Sequence, residues 1–116
     1  MEPFQGALPD TFMLMCKGNE QKARKAYART LMWREENRID EILSVPQPTF
    51  YQILELYPHA IHGKTRDGCV VVYEKLGMAK PIQLREQGIS PENLVEHFVL
   101  RNEFVLQRCG ASTHEN

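Results

Sequence analysis

One stretch constrains this chain more than any other. Thr65-Arg66-Asp67-Gly68 is a turn signal between a short extended run, His59–Lys64, and Cys69-Val70-Val71-Val72-Tyr73, the most β-prone segment present. Glycine reaches positive φ without steric cost and aspartate bonds its local backbone, so the pattern predicts a β-hairpin. No other segment reads as a strand. A two-stranded ribbon is marginal in water unless something covers it. Either helices sandwich this hairpin, or it belongs to a larger sheet whose remainder is missing.

The rest of the chain reads as helix. After an irregular lead-in containing Pro3, Gly6 and Pro9, Asp10 is placed to cap a short apolar helix through Cys16, which Gly18 ends. Asn19 caps a longer helix over about 20–38, with Ala23, Ala26, Tyr27, Thr30 and Leu31 on one stripe and Trp33 beside it, its aromatics expected in the core. Ile39 to Leu43 adds a turn, which Pro46 and Pro48 close. Thr49 and Gln52 form a capping-box pattern ahead of Phe50, Ile53, Leu54 and Tyr57. Beyond the hairpin and Gly77, a helix over about 80–87 stops at Gly88. Ser90-Pro91-Glu92 then opens a helix that runs to about Cys109, with Val95, Phe98, Val99, Val105 and Leu106 as its buried face. The fold class expected is a helix-rich α/β arrangement: an N-terminal helical bundle, a β-hairpin and two helices.

With 116 residues, ten of them aromatic, the chain suits one small globular unit with a core of its own. Its net charge of −1 argues against a wholesale polyanion binder, but the charge is unevenly placed. Residues 17–38 carry seven cations (Lys17, Lys22, Arg24, Lys25, Arg29, Arg34, Arg38) against three carboxylates, a net of +4. Such a helix is a solvated face with i,i+4 partners or a surface for anionic lipid. Few stacking aromatics lie among its cations, so no nucleic acid is expected as a partner.

Catalytic chemistry finds no footing. His59 and His62, with Cys69 beyond the turn, match no zinc spacing, and strand alternation puts the two histidines on opposite faces. Cys16, Cys69 and Cys109 are an odd set without short-range pairing, which favours reduced thiols, buried as small hydrophobes. Glu35 and Glu36 are adjacent on a helix and point different ways. Lys64 and Arg66 flank the hairpin tip, where a solvated turn accounts for them. No phosphate loop or serine elbow is present. The expectation is a protein that is not an enzyme, with no metal and no cofactor. No run approaches the roughly 18 apolar residues of a membrane span, and no secretory leader is evident, so a cytoplasmic setting is expected.

Three stretches taken in order resemble the CRAL-TRIO lipid-binding family, which includes phosphatidylinositol/phosphatidylcholine transfer proteins and retinaldehyde- and tocopherol-binding proteins. Lys22-Ala23-Arg24-Lys25-Ala26-Tyr27, leading to Leu31-Met32-Trp33-Arg34-Glu35-Glu36, is similar to the family's amphipathic helix ending in a Trp-Arg pair. Leu56-Tyr57-Pro58-His59-Ala60-Ile61-His62-Gly63-Lys64-Thr65-Arg66-Asp67-Gly68 looks like its "YP…HG…DKDGRPV" hairpin. Val72-Tyr73-Glu74-Lys75-Leu76-Gly77 matches "VYxExLG".

The resemblance implies a sheet that floors a lipid pocket, beside an N-terminal helical segment over residues 1–45. The lipid-binding domain would begin at 46–109, and 110–116 would be a disordered tail. It implies binding or transfer of a phospholipid or other small hydrophobic molecule, transient contact with an anionic membrane surface, and no catalytic residue. Ile61, Val70 and Val72 are the expected pocket wall. The family's arginine-rich head-group stretch falls on Met13-Leu14-Met15-Cys16-Lys17-Gly18, where Lys17 alone is basic, and its choline-contacting tyrosines fall on Ile61 and Val72. Neither head-group chemistry carries over. The family continues with a "xxVxDLKG" strand and a gate helix, so an N-terminal portion or short isoform of such a domain is expected. The alternative is a small protein-interaction module that uses the Val70–Tyr73 edge for strand addition and the basic helix for docking.

Overall fold

The computed structural model describes the backbone of residues 1–115 and side chains as far as Cys109. Its elements are α1 (Asp10–Met15), α2 (Glu20–Glu36), a 3-10 turn (Ile39–Ser44), α3 (Phe50–Leu56), β1 (His59–Lys64), β2 (Val70–Glu74), a second 3-10 turn (Leu76–Met78), α4 (Pro81–Glu86) and α5 (Pro91–Glu115). This is the helix-rich α/β arrangement expected. The last helix, expected to run to about Cys109, continues to Glu115, while the side chains of the tail expected over 110–116 lie outside the described residues. The chain forms two compact units, Met1–Glu41 and Ile42–Gly110.

In the first unit the irregular lead-in is tied to α2 by one side chain. Arg24 donates to the carbonyls of Phe4 and Gly6 at 2.9 and 2.7 Å and pairs with Glu20 at 3.1 Å. Tyr27 completes the junction, with the rings of Phe4 and Phe12 edge-on at 4.8 and 4.9 Å. Asn19 caps α2 as expected, its side chain accepting from the amide of Lys22 at 3.1 Å. Asp10 does not cap α1. Pro9 holds that position in an extended conformation with no side-chain bond, and Asp10 becomes the first helical residue, a favourable place for an acid. Lys17 takes the left-handed position that ends α1, at φ 53°, and Gly18 follows it.

The second unit has a core of Ile53, Leu56, Leu84 and Ile89, with Tyr57 and Leu94 packed against it. Thr49 does not make its capping box. At φ −95° and ψ 4° its backbone is turn-like rather than extended, which aims the hydroxyl away from the orphan amides. Gln52 instead donates to Gln87 at 2.7 Å. α4 ends in a Schellman motif: Gly88 and Ile89 donate to Arg85 and Leu84 at 3.0 Å each, and Ile89 and Leu84 meet in the core. The start of α5 has the hydroxyl cap expected at Ser90, and Asn93 closes it into a reciprocal box. Ser90 Oγ accepts from the Asn93 amide at 3.1 Å while Asn93 Oδ1 accepts from the Ser90 amide at 3.0 Å. The buried face of α5 is rotated from the expected one: Val95 and Leu106 are exposed, and His97 is its most buried side chain.

β1 and β2 pair antiparallel, with His59, Ala60 and Ile61 opposite Glu74, Tyr73 and Val72. Gly68 closes the turn at φ +86°, donating to the Thr65 carbonyl at 3.0 Å. Between Ile61 and Lys64 the register slips by one residue, and Gly63 sits there at φ +63°, a conformation that a side chain would strain. Cys69 is exposed at the end of this loop rather than buried, because its amide is drawn to Thr65 Oγ1 at 3.1 Å. Among the described residues the sheet has two strands, and α5 lies along one of its faces.

Candidate functional site

The face that α5 covers carries His59, Ile61, Val70, Val72 and Glu74, since directly paired and alternate strand residues share a side. α5 meets it through His97, Arg101, Phe104 and Arg108, at helix steps of four, three and four. The lengths agree. Eleven helical steps from His97 to Arg108 and five strand steps from His59 to Lys64 each cover roughly 16 Å. Helix and strand therefore stay in step from one end of the hairpin to its tip.

At the first end, His59 and His97 face each other with their Nε2 atoms 2.7 Å apart. One imidazole donates its N–H and the other accepts, so the contact needs both rings neutral or one charged, never both. His97 is 3% exposed, enclosed by the rings of Phe50, Phe98 and His59 at 5.0 to 5.3 Å. Burial pushes its pKa down to about 4, and the neighbouring His59 and Arg101 charges push the same way. His59 is lowered too, by burial first and Arg101 second, with Glu74 opposing. One turn along, Arg101 pairs with Glu74 across the junction and lays its guanidinium 4.9 Å over the Phe98 ring.

At the tip, Ile61, Gly63, Lys64, Val70, Phe104 and Arg108 enclose a cavity of about 230 Å³. Ile61, Val70 and Phe104 supply apolar wall. Lys64 Nζ donates to the Arg108 carbonyl at 3.3 Å, and the Arg108 guanidinium stacks on Phe104 at 4.8 Å. Among the described residues neither cation has a carboxylate partner within ion-pair distance. The result is a small apolar recess with two positive charges at its rim.

Of the residues expected as pocket wall, Ile61 and Val70 line this recess, whereas Val72 stands opposite Ile61 in the ladder and is not part of its lining. His62 lies on the other face, its ring 5.8 Å from Tyr73 and far from the His59 pairing. Among the described residues no three histidine, cysteine or acidic side chains gather as metal ligands. The contribution of α5 was not foreseen. His97, Arg101, Phe104 and Arg108 recur at helical spacing, but a polar stripe reads as solvent-facing until the hairpin is placed against it.

No protein-family model matches the chain. Over 65 residues, 55% of its length, it is 32% identical to the phosphatidylinositol/phosphatidylcholine transfer protein SFH9 of Arabidopsis thaliana. The match takes in 11% of that protein, so the chain spans about a tenth of the length of the curated relative it matches. The similarity to a lipid-transfer protein is partial and lies in part of this chain. Among the described residues no helix is long and apolar enough to cross a membrane.

Proposed function

We propose that this chain binds lipid without catalysis, in the manner of the CRAL-TRIO domains it resembles, and works in the cytoplasm. The observation that carries the reading is the recess between the hairpin and α5, apolar within and cationic at the rim. Ile61, Val70 and Phe104 suit an acyl or other hydrophobic segment, and Lys64 and Arg108 suit an anionic group beside it. The partial likeness to a phosphatidylinositol/phosphatidylcholine transfer protein supports the same ligand class. At about 230 Å³ the recess is smaller than the roughly 300–1,000 Å³ of sites that engulf a drug-sized ligand. It accommodates part of a phospholipid, not the whole.

Short-chain phosphatidylinositol and phosphatidylcholine, kept monomeric so that no bilayer is present, test this by calorimetric titration. Saturable binding is expected, weakened at least tenfold by Val70→Trp, which fills the recess. Lys64→Gln with Arg108→Gln should weaken the anionic lipid more than the zwitterionic one. Absence of saturable binding to either lipid, or binding indifferent to both changes, overturns the reading.

One observation favours a second reading, a protein-interaction module. The sheet has two strands, so β1 and β2 each present an outer edge without a ladder partner among the described residues. A stable dimer in light scattering, abolished by Val71→Pro in β2, would support strand addition.

A further inference from the structure

The +4 segment of the sequence separates into two sets once α2 is in place. Its inward and flanking arginines are used by the fold: Arg24 holds Phe4, Gly6 and Glu20, and Arg34 pairs with Asp40 at 2.6 Å. Lys22, Lys25 and Arg29 are different. All three are exposed, and among the described residues none has a carboxylate within ion-pair distance. At steps of three and four they share the side of α2 opposite buried Ala23. The same side continues into Met32 and Trp33, which are 43% and 42% exposed, and ends at Glu36.

We infer that this outward stripe of α2 docks on an anionic lipid bilayer. Three unpartnered cations complement a negative surface, each worth about fivefold in binding near an anionic membrane. Trp33 adds an amphipathic ring of the kind that settles at the head-group level, and Met32 a flexible apolar side chain next to it. Lysine and arginine stems can lie along the acyl boundary with their charges in the head groups. From Lys22 to Trp33 the stripe is roughly 16 Å long, so α2 would lie in the plane of the interface. A nucleic-acid surface would use the cations but gives no role to Met32. The inference goes beyond the recess reading, because it concerns the other unit and a surface rather than a bound molecule.

Trp33 is the sole tryptophan, so its emission reports on this stripe alone. The 116-residue chain is mixed with vesicles of phosphatidylcholine, with or without 30 mol% phosphatidylserine, at low and high salt. Expected are a blue shift and protection from iodide quenching on the anionic vesicles, weak or absent on the neutral ones and reversed by salt. Lys22→Gln, Lys25→Gln and Arg29→Gln together should weaken vesicle binding about 100-fold with an unchanged circular dichroism spectrum. No blue shift on anionic vesicles overturns the inference. So does binding that survives the triple change, or a charge-dependent response to single-stranded RNA with none to vesicles. Because the recess is tested with monomeric lipid, either reading can fail while the other stands.

Discussion

α2 and α5 are the two long helices of this chain, and both carry rows of polar side chains at helical spacing. The row on α5 faces protein: His97 meets His59, Arg101 meets Glu74, and Arg108 shares a recess with Lys64. The row of Lys22, Lys25 and Arg29 on α2 is exposed, and among the described residues none of the three has a carboxylate within ion-pair distance. Polar spacing alone does not tell a packing face from a docking face. What separates them is burial and partners. On α5 the polar groups should set stability, whereas on α2 they should set only what the surface attracts.

The largest expected difference is at His97. His97→Ala leaves His59 without its partner and opens a cavity in an aromatic cluster, for a cost of about 2–4 kcal/mol in urea unfolding. A change below about 1 kcal/mol would mean that α5 does not depend on the pair. Acid should act on the same contact. His97 titrates near 4 when folded and at 6.5 when unfolded, so between those values the unfolded chain holds the extra proton. Its contribution is complete above pH 6.5 and is lost as pH falls toward 4, to the extent of about 2–3 kcal/mol. Unfolding midpoints measured from pH 7.5 to 4.5 check this, and the slope should shrink in His97→Phe.

A smaller effect is expected at the ion pair. Arg101→Ala should cost about 1–2 kcal/mol, and a double-mutant cycle with Glu74→Gln should recover a coupling near 1 kcal/mol, because the pair is only partly screened by solvent. Smallest of all, Lys25→Ala or Arg29→Ala should move stability by no more than about 0.5 kcal/mol, as befits groups outside the packing. A larger loss at either position would break the contrast between the helices.

Where the residues that decide a feature are neighbours in sequence, the sequence was enough. Asn19 capping α2, the Ser90 cap of α5, the turn at Asp67-Gly68 and the stop at Gly88 each depend on fewer than six residues. Thr49 shows the limit of that rule, since its capping pattern is present but its backbone is turned out of the extended conformation that a cap needs. The site was much less legible. His59 and His97 lie 38 residues apart, and nothing local in either one announces the other. The apolar residues of α5 suggested a face containing Val95 and Leu106, but the hairpin contributes polar partners as well as apolar ones, and the helix turns to satisfy both. Ile61 and Val70 were reachable through the family resemblance, which set them on the expected pocket wall. Phe104 and Arg108 required knowing what lay across from them.

The slip at Gly63 has a consequence for how this chain tolerates change. In an unbroken strand Ile61 and Lys64, three residues apart, would point to opposite sides, yet both border the recess. Sidedness beyond the slip is thus a matter of counting: the extra residue taken up at Gly63 keeps Lys64 on the recess side, and a strand of the same length without the slip would send its ammonium to the far side of the ribbon. A side chain at Gly63 that forced the strand straight would leave net charge untouched, and every other wall residue would keep its identity. The recess would still lose half the positive charge at its rim, so its preference for anions depends on the slip in β1 as much as on the lettering of the strand.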